Sequence, residues 1–224
     1  ERILLSRPYF VYAETLAMPD LALDAETRRR YAGVINEETE RLGDIVGDLL
    51  DLSRLEGGGA SFKPAPVLLG SIFDRVARRH QPVLRAKRLT LRLLVEPEDL
   101  RVIADAGRLE QALQNLAANA VRHTPDGGEL RLTADHDAAG VRIRVADTGP
   151  GIPAEHLAHV FDRFYKADES RTGTKVPSGS GLGLSIVRAI VLRHGGTITA
   201  ANAAGGGASF EMRLPGPHEG HALS

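Results

Sequence analysis

Apolar residues recur at helical spacing in the first quarter of the chain. Residues 12–16 have helical character, Pro19 interrupts them, and a longer helix begins at Asp24, a residue type that caps helices well. Along this second helix the apolar positions follow a heptad spacing, with Ile35, Leu42 and Leu49 in one series and Ile45 and Leu52 in another. Two helices alone have too little surface to cover such a seam. The pattern therefore predicts a helical hairpin that joins a second copy in a four-helix bundle, with packing onto its own domain as the alternative.

After the glycines at residues 57–59 the pattern changes to short alternating runs separated by amphipathic stretches. The prolines within residues 61–67 forbid a helix, so we expect an extended strand there. Helices are predicted in three stretches, residues 69–80, 106–124 and 184–190, and strands in five, residues 89–93, 130–134, 141–145, 197–200 and 209–214. This set predicts an α+β sandwich, in which three helices cover one face of a sheet and the other face is open or partly covered.

One of these predicted helices carries a polar stripe at a spacing of three to four residues, formed by Gln111, Asn115 and Asn119 and then by Arg122 and His123. Amide oxygens can ligate a hard divalent metal, and a cation can meet phosphate. The stripe therefore suits a metal–nucleotide complex. For this stretch taken alone, a solvated polar face is the alternative.

Two glycine-rich segments follow the stripe, at residues 147–153 and 179–184. Asp147 ends an alternating strand, which leaves its carboxylate available to the amino edge of a purine, and Gly149 and Gly151 would let the backbone approach a ligand closely. The second segment leads into an apolar helix, so its amides lie at a helix N-terminus, where phosphate is favoured. Either segment alone could be a plain turn.

In this order the segments resemble the N, G1, F and G2 boxes of the sensor histidine kinases, members of the GHKL ATPase group. The matching sequences are NLAANAVRH at residues 115–123, DTGPG at 147–151, FDRFY at 161–165 and GSGLGL at 179–184. The resemblance covers roughly residues 30–215 and agrees with the α+β pattern. It implies an N-terminal helical hairpin, paired as a dimeric four-helix bundle, followed by an α/β sandwich ATP-binding domain of the GHKL (Bergerat) type.

The resemblance and the glycine break together divide the chain into four parts. Residues 1–56 are expected to form the dimerisation and histidine-phosphotransfer hairpin, and residues 57–60 a linker. Residues 61–216 would form the catalytic ATP-binding domain, and residues 217–224 a disordered tail.

The resemblance also assigns roles to the residues of the polar stripe, with ATP and Mg²⁺ as the implied cofactors. Asn115 would ligate Mg²⁺, Asn119 would lie in the phosphate region or the metal shell, and Arg122 would pair with phosphates. His123 occupies the position over the adenine, and Asp147 would accept a hydrogen bond from the adenine amino group.

Glycine-box and lid residues complete the expected nucleotide site. Almost no apolar residue follows position 165 before the second glycine segment, so this stretch is interpreted as an ATP lid. The lid and glycine-box candidates for nucleotide binding are Gly149, Gly151, Lys166, Arg171, Gly179, Ser180, Gly181, Leu182, Gly183 and Leu184.

The sequence departs from the family at the phosphoacceptor. The family carries its acceptor histidine on the first helix in a His-Glu-x-x-x-Pro-like box, but no histidine precedes His80. Alignment on Pro8 puts the expected histidine at Ile3, whereas alignment on Tyr12 puts it just ahead of Glu1. The catalytic residue therefore stays unassigned. Either residues are missing from the chain, which the complete nucleotide site favours, or the acceptor has been lost.

The resemblance implies an ATP-dependent protein-histidine kinase, the cytoplasmic core of a two-component sensor. It would act as a homodimer through the hairpin and donate phosphate to an aspartate of a response-regulator receiver domain. One alternative is a nucleotide-binding scaffold or pseudokinase that lacks the acceptor. Another is a GHKL ATPase or an anti-sigma-type serine kinase. The heptad hairpin counts against the latter pair, as does Gln111, which stands where hydrolysing relatives carry a water-activating glutamate.

Composition adds limits on partners and location. The formal net charge of −1 gives no reason to expect nucleic acid binding, and the absence of cysteine excludes disulfides and thiolate sites. No apolar run approaches the ~20 residues that a membrane-spanning helix needs. We therefore expect a cytoplasmic chain, with any inner-membrane anchor supplied by a segment of a longer parent.

Overall fold

The computed structural model describes residues 7–18, 23–57, 61–166, 180–203 and 205–216. The chain divides into two compact units, Glu1–Leu50 and Asp51–Ser224. Pro19, Arg171 and Gly179, together with the tail predicted from residue 217 onward, lie outside the described residues. Within the described ranges, no helix is long and apolar enough to cross a bilayer.

The first unit contains helix α1, Arg7–Ala17, and most of helix α2, Ala25–Glu56. Asp24 caps α2, because its carboxylate accepts hydrogen bonds from the backbone N–H of Thr27 at 2.7 Å and from the hydroxyl of Thr27 at 3.0 Å. The rings of Tyr12 on α1 and Tyr31 on α2 lie 4.7 Å apart. The two predicted helices and the predicted cap are therefore present.

The second unit contains seven strands and four further helices among the described residues. The strands are β1 Ala65–Leu68, β2 Thr90–Val95, β3 Arg101–Ala104, β4 Glu129–Asp137, β5 Gly140–Asp147, β6 Thr197–Asn202 and β7 Ala208–Leu214. The helices are α3 Leu69–Ala86, α4 Ala106–His123, α5 Ala154–Leu157 and α6 Gly183–Arg193. Five strands form a sheet in the order β2-β4-β5-β7-β6, and β1 and β3 form a separate antiparallel pair.

The main sheet has one apolar face and one charged face. Alternate residues of β4 and β5, such as Leu132 and Ile143, are fully buried, together with the inner faces of α3, α4 and α6. The opposite face carries ion pairs between strands, including Arg144–Glu211 at 2.6 Å between the neighbours β5 and β7, and Arg213–Asp137 at 2.9 Å across β5. This arrangement confirms the predicted three-helix layer with the other face open.

Two predictions about strands need correction. The strand expected over residues 61–67 begins only at Ala65, because Lys63 is held outside the ladder by a hydrogen bond from its backbone N–H to Asp105 Oδ2 at 3.0 Å. Sequence reasoning also missed β3, a four-residue strand whose pairing partner β1 lies more than thirty residues earlier. A strand this short carries little periodic signal of its own.

Asp105 connects the segment before β1 to the start of α4, because it holds Lys63 and also caps α4. Its Oδ1 atom accepts a hydrogen bond from the backbone N–H of Arg108 at 3.1 Å. Burial alone would raise the pKa of the Asp105 carboxyl, but hydrogen bonds from the N–H groups of Lys63 and Arg108 outweigh it and lower the pKa. A group with a lowered folded-state pKa stabilises the fold at neutral pH, and that contribution is lost as the pH falls through the folded-state value.

We therefore expect Asp105→Ala to lower the free energy of unfolding by about 1 kcal/mol at neutral pH. The difference from the parent chain should shrink as the pH falls below the folded-state pKa of Asp105. Asp105→Asn keeps one acceptor oxygen and should lower the free energy of unfolding by less than Asp105→Ala does. Urea unfolding at neutral and acid pH measures both effects, and a difference that does not change with pH would contradict the assigned role of the carboxylate.

Candidate functional site

Helix α4 presents the polar stripe as predicted. Its apolar face is fully buried through Leu109, Leu113, Leu116 and Ala120. Gln111, Asn115 and Asn119 are half-buried, whereas Arg122 and His123 are exposed at the end of the helix. The helix ends where the Thr124 hydroxyl donates to the carbonyl of Ala120 at 2.6 Å, just before Pro125. Packing of one face therefore fixes the direction in which the amides point.

The middle of the stripe meets the N-terminus of α6. The Nδ2 atom of Asn115 donates a hydrogen bond to the carbonyl oxygen of Gly183, the first residue of α6, at 3.2 Å. A Cβ atom on Gly183 would lie 3.9 Å from Asn115 Cγ. Because the amide nitrogen is used, the Asn115 oxygen is the atom left to ligate a metal. The unpaired N–H groups of the first turn of α6 favour an anion at the same place.

At the other end of α4 lies the carboxylate of Asp147, the last residue of β5. Asp147 is only 5% exposed, and its Oδ1 atom accepts hydrogen bonds from the N–H groups of Gly149 at 2.8 Å and Ala208 at 3.2 Å. These contacts hold the carboxylate in one orientation. Within the described residues no donor is recorded for Oδ2, so this oxygen suits the amino group of a purine.

The glycines after β5 are required first by contacts inside the protein. A Cβ atom on Gly149 would lie 2.8 Å from the carbonyl oxygen of His123, and one on Gly151, where φ is +78°, would lie 2.8 Å from Asn202 Oδ1. Asn202 fixes this loop, because it accepts from the N–H of Ile152 at 2.7 Å and donates to its carbonyl at 2.8 Å. The protein's own packing therefore requires these glycines, apart from the close approach of a ligand that the sequence predicts.

The second glycine segment is joined to the start of the predicted lid. The backbone N–H of Phe164 donates to the carbonyl of Gly181 at 2.9 Å, and a Cβ atom on Gly181 would lie 2.9 Å from Phe164 Cα. Ser180 Oγ accepts from the N–H of Leu182 at 3.1 Å. Leu182 is fully buried, backbone as well as side chain, so its predicted contact with a nucleotide is not available in this structure. The first turn of α6 also contains Leu184.

The aromatic residues of the F box pack against the protein. Phe161 contacts the ring of Phe210 edge-on at 6.2 Å, and the hydroxyl of Tyr165 lies 2.7 Å from Nδ1 of His156. These contacts hold the aromatic side chains of the F box inside the protein. Lys166 is the last described residue before the lid gap.

A depression of about 710 Å³ lies where α4 ends beside the loop after β5, and its lining includes Arg122, His123, Thr148 and Gly149. Its lining also includes Lys87, which the sequence analysis missed. The ammonium group of Lys87 donates to the carbonyl oxygens of Val121 at 2.8 Å and Thr124 at 2.7 Å, and so caps the C-terminus of α4.

The imidazole of His123, which lines this depression, has a lowered pKa. Partial burial is the main cause, and the charges of Arg122 and Lys87 act in the same direction, against the carboxylate of Asp147. The neutral ring is therefore favoured near neutral pH. A neutral imidazole suits the predicted position over an adenine.

Gln111 takes no part in this arrangement. Its Oε1 atom accepts from Arg108 at 2.8 Å and its Nε2 atom donates to Asp51 at 2.6 Å, while Arg108 also pairs with Asp51 at 2.7 Å. Both amide atoms are thus committed to a structural network, and an amide so held offers no general base for water, in keeping with the prediction from Gln111. Glu110 accepts from Arg75 at 2.6 Å, as expected for a residue that faces away from the stripe.

Family models match both parts of the chain. The ATPase family described as "Histidine kinase-, DNA gyrase B-, and HSP90-like ATPase" matches residues 104–218. The chain belongs to the sensor histidine kinases. The "His Kinase A (phospho-acceptor) domain" matches residues 11–58, which places the α1–α2 region of this histidine kinase chain in the phosphoacceptor family as well.

Individual relatives agree with this membership. The sensor-like histidine kinase SenX3 of Mycobacterium tuberculosis is 35% identical over 192 residues, covering 86% of this chain and 46% of SenX3. The structure of full-length ShkA in complex with AMPPNP is 32% identical, with a TM-score of 0.72, and the match covers 91% of this chain and 42% of ShkA. The structure of ThkA in complex with the response regulator TrrA is 26% identical, with a TM-score of 0.72, and the match covers 96% of this chain and 60% of ThkA. The chain thus spans less than half the length of the curated relatives it matches. Its ATP-binding fold is of the GHKL type.

Gly207 offers a test of how Asp147 is held. It has a φ of +87°, and a Cβ atom there would lie 1.9 Å from the carbonyl oxygen of Asp147. We expect Gly207→Ala to cost at least about 2 kcal/mol of unfolding free energy, because backbone must shift at a left-handed position. Gly205→Ala is the matched control, since its Cβ would meet nothing within 4 Å. Urea unfolding of the two variants compares them, and equal losses would contradict the crowding at Gly207.

Proposed function

We propose that the chain is the catalytic core of an ATP-dependent protein-histidine kinase that autophosphorylates a histidine and passes phosphate to a response-regulator aspartate. The contact between Asn115 and Gly183 carries the proposal, because it joins the amide stripe to a helix N-terminus suited to phosphate. At the C-terminal end of α4, Gly149 lies against the carbonyl group of His123 and donates its N–H to the fixed carboxylate of Asp147. Membership of the histidine kinase family supports phosphoryl transfer as the chemistry.

The residues present fit Mg²⁺–ATP. When bound, ATP would supply the phosphoryl group and Mg²⁺ would neutralise charge on the phosphates. The Asn115 oxygen would ligate the metal, with Asn119 one turn further along the same face in its shell or near the phosphates. Arg122 would pair with phosphate, and the Oδ2 atom of Asp147 would accept from the adenine.

The backbone at the start of α6 would hold the phosphates. The first turn of α6, including Gly183 and Leu184, offers amide donors, and Ser180 and Gly181 precede it. Gly149 and Gly151 would shape the loop below the purine. Lys166 and Arg171 of the predicted lid, and Gly179 at its end, remain candidates for nucleotide binding.

The acceptor is proposed to be a histidine outside the ATP-binding unit. His80 is a poor candidate, because it is half-buried on α3, and burial lowers the pKa of its imidazole despite an opposing interaction with Gln114. No histidine precedes His80, and this observation favours the second candidate function, a nucleotide-binding scaffold without an acceptor. The match of residues 11–58 to the phosphoacceptor family supports the kinase.

Labelling separates the two functions. The full-length parent incubated with γ-labelled ATP and Mg²⁺ should acquire label that is labile in acid and stable in alkali, as expected of phosphohistidine. Tight nucleotide binding without any such label would favour the scaffold. The onward partner is proposed to be a receiver domain, in line with the ThkA–TrrA complex, and the chain is proposed to work in the cytoplasm.

We expect Asn115→Ala and Asp147→Asn each to weaken binding of the Mg²⁺ complex of a non-hydrolysable ATP analogue by about tenfold to a hundredfold, because the first removes the proposed metal ligand and the second replaces the acceptor Oδ2 with a donor. Asp147→Asn keeps an acceptor at Oδ1 for the Gly149 amide, so the loop should persist. Gln111→Ala on the same helix is the control and should bind normally. Calorimetry measures the affinities, and unchanged binding in both site variants would refute the site.

The hairpin is proposed to form a homodimer. Several apolar residues of α2 are exposed in the single chain, at 52% for Leu42, 57% for Val46 and 45% for Leu49. A second copy would cover them.

Leu49→Lys is expected to shift the chain from dimer to monomer in analytical ultracentrifugation at micromolar concentration, because it places a charge in the seam. Asp44→Lys, at an exposed polar position of the same helix, should leave the dimer intact. A parent chain that is monomeric throughout this range would contradict the bundle.

A further inference from the structure

A groove of about 480 Å³ lies between α3 and strand β2, and none of the nucleotide-site residues lines it. Its floor is apolar and includes Leu84, Leu89 and Leu91. Its sides are polar, and one stripe of α3 contributes Arg78 and Arg85. The histidine kinase chemistry described above makes no use of this surface.

The charges around the groove are unbalanced. Three arginines line it, Arg78, Arg85 and Arg88, against the single carboxylate of Asp74. In the described part of the chain Arg88 reaches only Asp126, at 4.0 Å with both side chains well exposed, and no ion pair is recorded for Arg78 or Arg85. By contrast, most arginines on the open face of the sheet are paired. The groove therefore presents cations that a negatively charged partner could bind.

Arg88 stands in a backbone conformation that favours glycine. It follows α3 with a φ of +53°, and the helix ends through hydrogen bonds from Arg88 N–H to the Arg85 carbonyl at 3.1 Å and from Leu89 N–H to the Leu84 carbonyl at 2.8 Å. A side chain in this conformation lowers stability relative to glycine. The ion pair with Asp126 is too long and exposed to offset that loss, so the guanidinium contributes charge to the groove without a structural gain.

Strand β2 has an unpaired edge beside the groove. It is the first strand of the sheet order and pairs with β4 alone among the described strands. The N–H groups of Thr90 and Glu96 donate toward the β4 side at 2.9 Å each, so the alternate residues Leu91, Leu93 and Val95 direct their N–H and C=O groups outward.

Two leucine side chains of this edge are accessible, while the one charged side chain of β2, Arg92, is turned toward β4 in an ion pair with Glu129 at 2.6 Å. Leu93 is 39% exposed and Leu94 is 51% exposed. Edges of this length are usually protected by charge, proline or a covering element, and strands of other proteins add to edges that are not. An extended polypeptide can satisfy the outward backbone groups of β2, whereas a nucleic acid or a lipid headgroup cannot.

We propose that the groove and the β2 edge form a docking site for an extended acidic segment of a partner protein. The segment adds a strand beside β2, and its long carboxylate side chains cross the apolar floor to reach Arg78, Arg85 and Arg88. Apolar side chains on its other face cover Leu94. A second copy of this chain fits less well, because two such edges would bring like charges together.

The probe for this proposal is a fluorescein-labelled eight-residue peptide of alternating valine and glutamate, titrated into the full chain by fluorescence anisotropy. We expect binding that weakens with salt and slows amide hydrogen exchange at Leu91, Leu93 and Val95. A peptide with lysine in place of glutamate should not bind. A peptide N-methylated at every residue should not bind either, because neither of its edges can donate the hydrogen bonds of strand pairing.

Variants locate the site. Arg78→Glu and Arg85→Glu should each weaken peptide binding by roughly tenfold. Arg79→Glu is the matched control, because Arg79 is an exposed neighbour on α3 that does not line the groove. This variant should bind the peptide within about twofold of the affinity of the parent chain. Arg88→Gly should weaken binding while leaving Tm unchanged or raised. Nucleotide affinity should stay the same in all four variants, so failure here is separable from failure of the kinase assignment.

Several outcomes would overturn the proposal. The first is the absence of peptide binding. The second is an N-methylated peptide that binds as tightly as the unmodified one. The third is an equal loss of peptide affinity in Arg79→Glu and Arg78→Glu. Binding of single-stranded DNA or of phosphatidylglycerol vesicles through the same arginines, without protection of the β2 amides, would replace the protein partner with a polyanion. Self-association that disappears in Arg85→Glu would replace it with a second copy.

Discussion

The burial of one face of α4 is the constraint on which the rest of the ATP-binding unit depends. Leu109, Leu113 and Leu116 are fully buried, so the helix cannot rotate without exposing them to water. Its opposite face therefore presents Asn115 to the start of α6 at a fixed angle. A site for a charged ligand thus takes its geometry from apolar packing, which is not directional itself but permits only one orientation of this helix.

The other fixed element is the carboxylate of Asp147. A buried acid needs hydrogen-bond donors, and here they come from the backbone of Gly149 and Ala208, two segments about sixty residues apart. Gly207 and Asn202 allow those segments to meet, the first by lacking a side chain and the second by pinning the intervening loop. The glycine-rich motifs of this family member therefore serve the protein's own packing before they serve a ligand.

The chain is nearly neutral, yet its arginines are distributed unevenly. On the open face of the sheet they alternate with carboxylates in ion pairs such as Arg144–Glu211, which contribute little stability each because they are partly solvated. Around the α3–β2 groove they face almost no carboxylate. The formal charge of −1 thus hides a local excess of positive charge, which only the arrangement of the elements brings together.

The sequence by itself determined the local features of this protein. Helical periodicity assigned the two faces of α4, Asp24 was identifiable as a cap, and the four boxes identified the family, because each signal lies within a few residues of the chain. The tertiary structure alone decided the pairing of β3 with β1, the capping of α4 by Lys87 and the commitment of Gln111 to Asp51. Each of these depends on groups that are tens of residues apart and meet only when the core has packed. No periodicity or spacing along the chain encodes such a meeting, so it could not be predicted without the fold.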